Sequence, residues 1–184
     1  TYPGSATTLF MPRPDIPVDP PERTPSLNAR LRLAATGHIG PTKGLELLVE
    51  ALASTPDLAD RYHVTIAGHA GDAGYVQSLE TRITAQGLTE SVRILPDPDD
   101  AGFAAVMQDA GLFMNLRRPN TEGASLSLAE QLASGRPVIV QNSGCFAEIP
   151  AQCGLHLPPA AAASDLAATL RRQPPHPRPT TNPC

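Results

Sequence analysis

The chain has 184 residues, of which 41% are hydrophobic, 17% charged and 4% aromatic, enough for one ordinary domain with a real core. A net charge of −4 argues against a strongly basic surface, so no nucleic-acid partner is expected. No apolar run reaches the roughly 18 residues of a membrane-spanning helix, and no secretory pattern precedes the first candidate strand.

The start at Thr1 rather than Met points to a fragment or a processed product. Residues 11–25, "MPRPDIPVDPPERTP", cannot form helix or central strand, because proline removes a donor and fixes φ. Residues 1–29 therefore read as a proline-rich linker. The first candidate strand follows at 31–37, "LRLAATG". The loop "TGHIGPTKG", 36–44, leads into a helix marked by Leu45, Leu48, Val49 and Leu52. Gly37, Gly40 and Gly44 allow sharp turns there, and Lys43 adds a positive charge beside free helix-start amides. The spacing matches neither the dinucleotide fingerprint nor the Walker A loop. The loop reads either as an anion site or as a plain connector with a solvated lysine.

A second strand is expected at 63–68, "HVTIAG", followed by "GHAGDAG", whose His69 faces the same sheet edge as His38. A helix over 75–86 ends at Gly87. The third strand, 92–96, runs into "PDPDD". Asp97 and Asp99 there suit either helix capping or a divalent metal, and capping is the simpler reading. Phe103, Val106, Met107 and Ala110 mark the next helix, capped by Asp99 or Asp100.

The fourth strand, 112–116, precedes "TEGASLSLAE". Thr121 or Glu122 is the expected helix start, and Ser125, Leu128, Ala129 and Leu132 mark its inner face. Small side chains at Gly123, Ala124 and Ser125 leave backbone amides open to a phosphate or a sugar hydroxyl. Along such a helix Glu130 stands about 12 Å beyond Glu122 and roughly 80° round, too far for a close catalytic pair. The pair reads either as two grips on one long ligand or as a capping acid and a surface acid. Strands at 137–140 and 155–158 and a helix capped by Ser164 complete the folded unit, expected over 30–172. A disordered proline-rich tail is expected over 173–184.

Strand–helix alternation with doubly apolar strands predicts an α/β fold. It is a Rossmann-like parallel sheet of about six strands with helices on both faces, and ligands bind beyond the strands' carboxyl ends. Three cysteines, Cys145, Cys153 and Cys184, make no Cys-x-x-Cys pair and are expected as reduced thiols in a cytosolic protein. No His-x-x-x-His or Glu-x-x-His pair supports a metal, and no Gly-x-Ser-x-Gly elbow is present.

Three segments in order, "GHIGPTKGLELLVEAL", "VTIAGHAGDAGYVQSLETRITAQGLTESVRIL" and "NLRRPNTEGASLSLAEQLASGRPVIVQNSGCFAEIP", resemble the C-terminal, nucleotide-sugar-binding domain of retaining GT-B glycosyltransferases. Within that fold the segments look like glycosyltransferase family 4, the glycosyl transferases group 1. The resemblance spans about residues 30–158. It implies that Lys43 contacts the donor diphosphate and that Glu122 lies against the transferred sugar. Gly37 and His38 belong to the phosphate loop, and the backbone of Gly123, Ala124, Ser125 and Leu126 touches sugar and phosphate. Glu130 binds ribose hydroxyls, while Leu95 and Pro96 line the base pocket. The catalytic pair would be Lys43 and Glu122.

A lysine and helix-start amides aimed at the departing diphosphate offset its charge without a metal, so neither metal nor cofactor is implied. His38 stands where the family usually has arginine, Pro96 where it usually has glycine, and Ser143–Gly144 where it has two glycines. The resemblance further implies a missing N-terminal acceptor-binding domain, through which any membrane contact would be made. The complete enzyme is expected in the cytoplasm or peripherally at a membrane. It would transfer a hexose-like sugar to a saccharide or lipid-linked acceptor. The alternatives are a non-catalytic nucleotide-sugar-binding module or partner subunit, and a flavodoxin-like interaction domain.

Overall fold

The computed structural model describes residues 30–119 and 123–174. The expected linker, most of the expected tail, and Glu122 lie outside these residues. Among the described residues six strands run β1 (Leu31–Thr36), β2 (Tyr62–Gly68), β3 (Val92–Pro96), β4 (Leu112–Asn115), β5 (Val138–Gln141) and β6 (Gly154–Leu157). They form one all-parallel sheet in the order β3-β2-β1-β4-β5-β6. Six helices connect or flank them: α1 (Leu45–Ala53), α2 (Pro56–Arg61), α3 (Ala73–Ala85), α4 (Asp100–Asp109), α5 (Leu126–Ala133) and α6 (Ala163–Arg171).

Side chains alternate between two cores, as the period of a strand requires. Leu33 and Ala35 of β1, Leu112 and Met114 of β4, and Ile139 of β5 face α1, α3 and α6. Ala34, Phe113, Val138 and Val140 face α4 and α5. Both faces are covered, which is why the strands read as continuous apolar runs. Each fully buried Leu or Phe stabilises the fold by roughly 1.5–3 kcal/mol. Tyr62, at the foot of β2, is fully buried and donates its hydroxyl to Leu170 O at 2.9 Å. Burial raises the phenol's pKa to about 12.

Several local expectations need correction. Helix α2 has no counterpart in the sequence reading: its six residues bury only Leu58, too little for a periodic signal. Ser164 does not cap α6. The helix starts at Ala163, and the Asp165 carboxylate accepts the Ala162 N–H at 2.8 Å instead. The chain stays packed to Gln173, one residue past the expected end at 172. Its amide donates to Thr169 O at 3.0 Å. Cys145 is half-buried, and Cys153 is disulfide-bonded, which overturns the expectation of reduced thiols at that position. Cys184 lies outside the described residues.

Candidate functional site

The strand order reverses direction between β1 and β4, and the loops that leave the sheet there are held by backbone contacts. Gly37 N donates to Ala67 O at 3.0 Å, Ile39 N to His69 O at 2.8 Å, and Asp97 N to Gly68 O at 2.8 Å. The ends of β1, β2 and β3 are thereby stitched into one floor. Gly68, at φ 146°, comes so close to the first loop that a Cβ there would lie 1.7 Å from the Gly37 carbonyl oxygen. Only glycine permits this approach.

Above the floor, a 3-10 turn (Pro41–Lys43) sits between Gly40 and Gly44, the latter at φ 62°. The turn folds Lys43 inward, so that it is 5% exposed. Its Nζ donates to Ser127 Oγ at 3.3 Å, in the first turn of α5. The solvated-lysine reading therefore does not hold. Ser127 Oγ also accepts from Asn115 Nδ2 at 3.0 Å. Asn115 Nδ2 donates to Gln131 Oε1 at 2.9 Å, and Gln131 Nε2 donates to Thr36 Oγ1 at 2.9 Å. A polar relay thus crosses an otherwise apolar layer, from the cleft to the end of β1.

The far end of the cleft is open to solvent. His69 Nδ1 lies 2.8 Å from Asp97 Oδ1, which also accepts Ala70 N–H at 3.2 Å. Asp97 holds a left-handed φ of 45°, unusual for a residue other than glycine. Its hydrogen bond from His69, then that from the Ala70 amide, holds the carboxyl below the usual carboxylate range. The His38 and His69 rings lie 5.9 Å apart. Asp99 caps α4 as expected, accepting Gly102 N–H at 2.7 Å, but Asp97 does not act as a cap.

Between these ends lies a cleft of about 520 Å³. Of the sequence-expected residues, the phosphate-loop members Gly37, His38 and Lys43 line it. So do Ala124, Ser125, Leu126 and Glu130 from the start of α5. Gly123 is exposed beside it. Leu95 is half-buried against the core beneath α4 and Pro96 ends β3 exposed; they lead directly into Asp97 and Pro98, which line the cleft. The start of α5 is displaced from Thr121 or Glu122: the helix begins at Leu126, and Ser125 is its cap, accepting Leu128 N–H at 3.4 Å. The helical spacing between Glu122 and Glu130 therefore does not apply. Sequence reasoning missed Ser127, Asp100, Phe103 and Arg117, which also line the cleft. Nothing in their spacing sets them apart from ordinary helix and loop residues. Among the described residues, no group of three or more His, Cys, Asp or Glu is gathered for a metal.

A six-stranded parallel sheet in this order, with glycine-led loops and a cleft at its reversal point, defines a Rossmann-like nucleotide-binding class of domain. Residues 24–173 match the family model of the glycosyl transferases group 1, and the chain belongs to that family. It is 32% identical over 134 residues to the phosphatidyl-myo-inositol mannosyltransferase of Mycobacterium leprae, covering 71% of this chain and 33% of that protein. The chain spans about a third of the length of the curated relatives it matches. The C-terminal domain of a glycosyl transferase group 1 family protein from Francisella tularensis superposes with a TM-score of 0.64 at 20% identity, over 77% of this chain and 73% of that one. An Anabaena structure in complex with UDP and glucose superposes at 0.66 and 23% identity, over 77% and 38%. The fold is thus one half of the GT-B arrangement.

Proposed function

We propose that this chain is the donor-binding domain of a retaining, family 4 glycosyltransferase. It takes a nucleoside diphosphate sugar at the sheet's reversal point. The observation that carries the reading is Lys43, a buried cation held against the first turn of α5 at the wall of an open cleft. A diphosphate brought to the cleft would lie against this cation and against the amides that open α5. The first group-1 relative is a mannosyltransferase and the Anabaena neighbour holds UDP with glucose, both consistent with a nucleotide-sugar donor.

On this reading Lys43 offsets charge on the departing diphosphate, and the backbone of Gly123 to Leu126 meets phosphate and sugar. Glu130 takes ribose hydroxyls, Glu122 lies against the transferred sugar, and the base lies toward Leu95 and Pro96. Gly37 and His38 close the phosphate loop. Transfer of the sugar to a saccharide or lipid-linked acceptor requires an acceptor-binding domain besides this one. The whole enzyme works in the cytoplasm or peripherally at a membrane and needs no cofactor.

Calorimetric titration with UDP, GDP and ADP tests the reading. One of the three binds, and Lys43→Ala weakens it at least about tenfold, the worth of one hydrogen bond to a charged group. Glu130→Ala weakens it by a similar factor. Binding of none of the three sinks the reading, and binding unchanged in both variants sinks the residue roles.

A further inference from the structure

The buried relay behind Lys43 dictates which way its hydroxyls point. Asn115 is 1% exposed, and its Oδ1 has no partner among the described residues. Its Nδ2 donates twice, to Ser127 Oγ and Gln131 Oε1. Turning the amide over would strand a buried NH2 group instead, a worse outcome than an under-satisfied carbonyl. Ser127 Oγ therefore accepts from two N–H donors, Asn115 Nδ2 at 3.0 Å and Lys43 Nζ at 3.3 Å, which fills both lone pairs. Its own proton is left for Ser125 Oγ, 3.2 Å away, or for a ligand. Ser125 Oγ in turn accepts from Leu128 N at 3.4 Å and from Ser127. Its own proton is then directed to the cleft that it lines. Hydrogen bonds aligned in one direction polarise one another.

We propose that Asn115 is a positioning residue. Acting through Ser127, it makes the Ser127 and Ser125 hydroxyls a one-way chain that ends as a donor to an oxyanion in the cleft, a diphosphate oxygen on the reading above. The inference rests on that reading for the identity of the ligand but not for its charge. A neutral hydroxyl pair with free rotors would serve a sugar as well as a phosphate. The Asn115 amide removes that freedom by occupying the acceptor site of Ser127. The pair then favours a ligand that only accepts.

The test titrates the whole chain with inorganic pyrophosphate and, in parallel, with UDP, GDP and ADP. Ser127→Ala is expected to weaken pyrophosphate about tenfold, and Ser127→Thr, which keeps the hydroxyl, to restore it to within about twofold. Asn115→Leu weakens pyrophosphate in the wild-type background but adds nothing to Ser127→Ala, the coupling a double-mutant cycle reads. If Asn115→Leu fails to fold by melting curve, the Ser127 pair decides. Equal affinity in Ser127→Ala and wild type overturns the proposal. So does an equal loss from Asn115→Leu in both backgrounds, or no pyrophosphate binding at all. Pyrophosphate binding that Ser127→Ala weakens, with none of UDP, GDP and ADP bound, leaves the hydroxyl chain standing and sinks the nucleotide-sugar reading. Nucleotide binding that ignores every Ser127 and Asn115 variant does the reverse.

Discussion

The two ends of the cleft are built by opposite means. At the Lys43 end, side chains from β1, β4 and α5 reach the ligand space through a buried relay, in which Asn115 and Gln131 are 1% and 0% exposed. At the Asp97 end, His69 and Asp97 meet in solvent, with side chains 74% and 57% exposed. Burial strengthens a hydrogen bond and makes its loss costly, so the first end is part of the fold. Water screens the second, so it shapes the ligand space without holding the domain together.

This contrast makes predictions that separate stability from binding. The largest effect belongs to the floor shared by both ends. Gly68→Ala places a methyl 1.7 Å from the Gly37 carbonyl oxygen, and is expected to lower unfolding free energy by about 3–5 kcal/mol. Denaturant unfolding measures it. A loss below about 1 kcal/mol would mean that the two loops part easily, and the stitched floor would have to be given up.

Gln131→Leu comes next. It strands one proton of Asn115 Nδ2 and removes the donor to Thr36 Oγ1, at a cost of about 1–3 kcal/mol. A neutral result would show that the relay is not a stabilising part of the core. The contrast between the two ends would then be lost.

Asp97→Asn is the smallest. Near neutral pH the melting temperature is expected to move by no more than about 1 °C, because the pair is exposed. The folded carboxyl titrates below its ordinary value, owing to His69 and then the Ala70 amide. Its contribution is therefore present above the unfolded pKa of about 3.9 and is lost as pH falls through the lower folded value. Melting curves from pH 7 to pH 3 should fall slightly less steeply for the variant than for wild type below about pH 4. A large shift at pH 7 would place Asp97 with the buried end instead.

Much of the fold was legible because the strands are buried on both faces. Runs such as "HVTIAG" and "PVIV" carry their assignment in composition alone. The amphipathic faces of α1 and α5 did the same for helices. Helix α2 was missed because one buried leucine makes no period. The start of α5 was misplaced because an acid and a serine both suit a helix start. Only the backbone's extended conformation at Ser125, φ −128° and ψ 113°, chooses between them.

In the site, the sequence pointed to Gly37, Lys43 and Ser125, since glycine turns, a loop cation and small helix-start residues are local features, whereas Glu130 was singled out by the family resemblance. It could not point to Ser127, Asn115 or Gln131. The bonds that give them meaning join positions up to 95 residues apart, as between Gln131 and Thr36. Nor could it show that Lys43 is buried, because that depends on α5 lying over the loop. Hydrophobic period and turn chemistry are properties of neighbours along the chain, so the sequence by itself determined the layered parallel sheet and the loops that bear the site. Hydrogen-bond direction and burial are properties of neighbours in space. Only the tertiary structure could therefore decide that a serine, an asparagine and a glutamine stand behind the lysine.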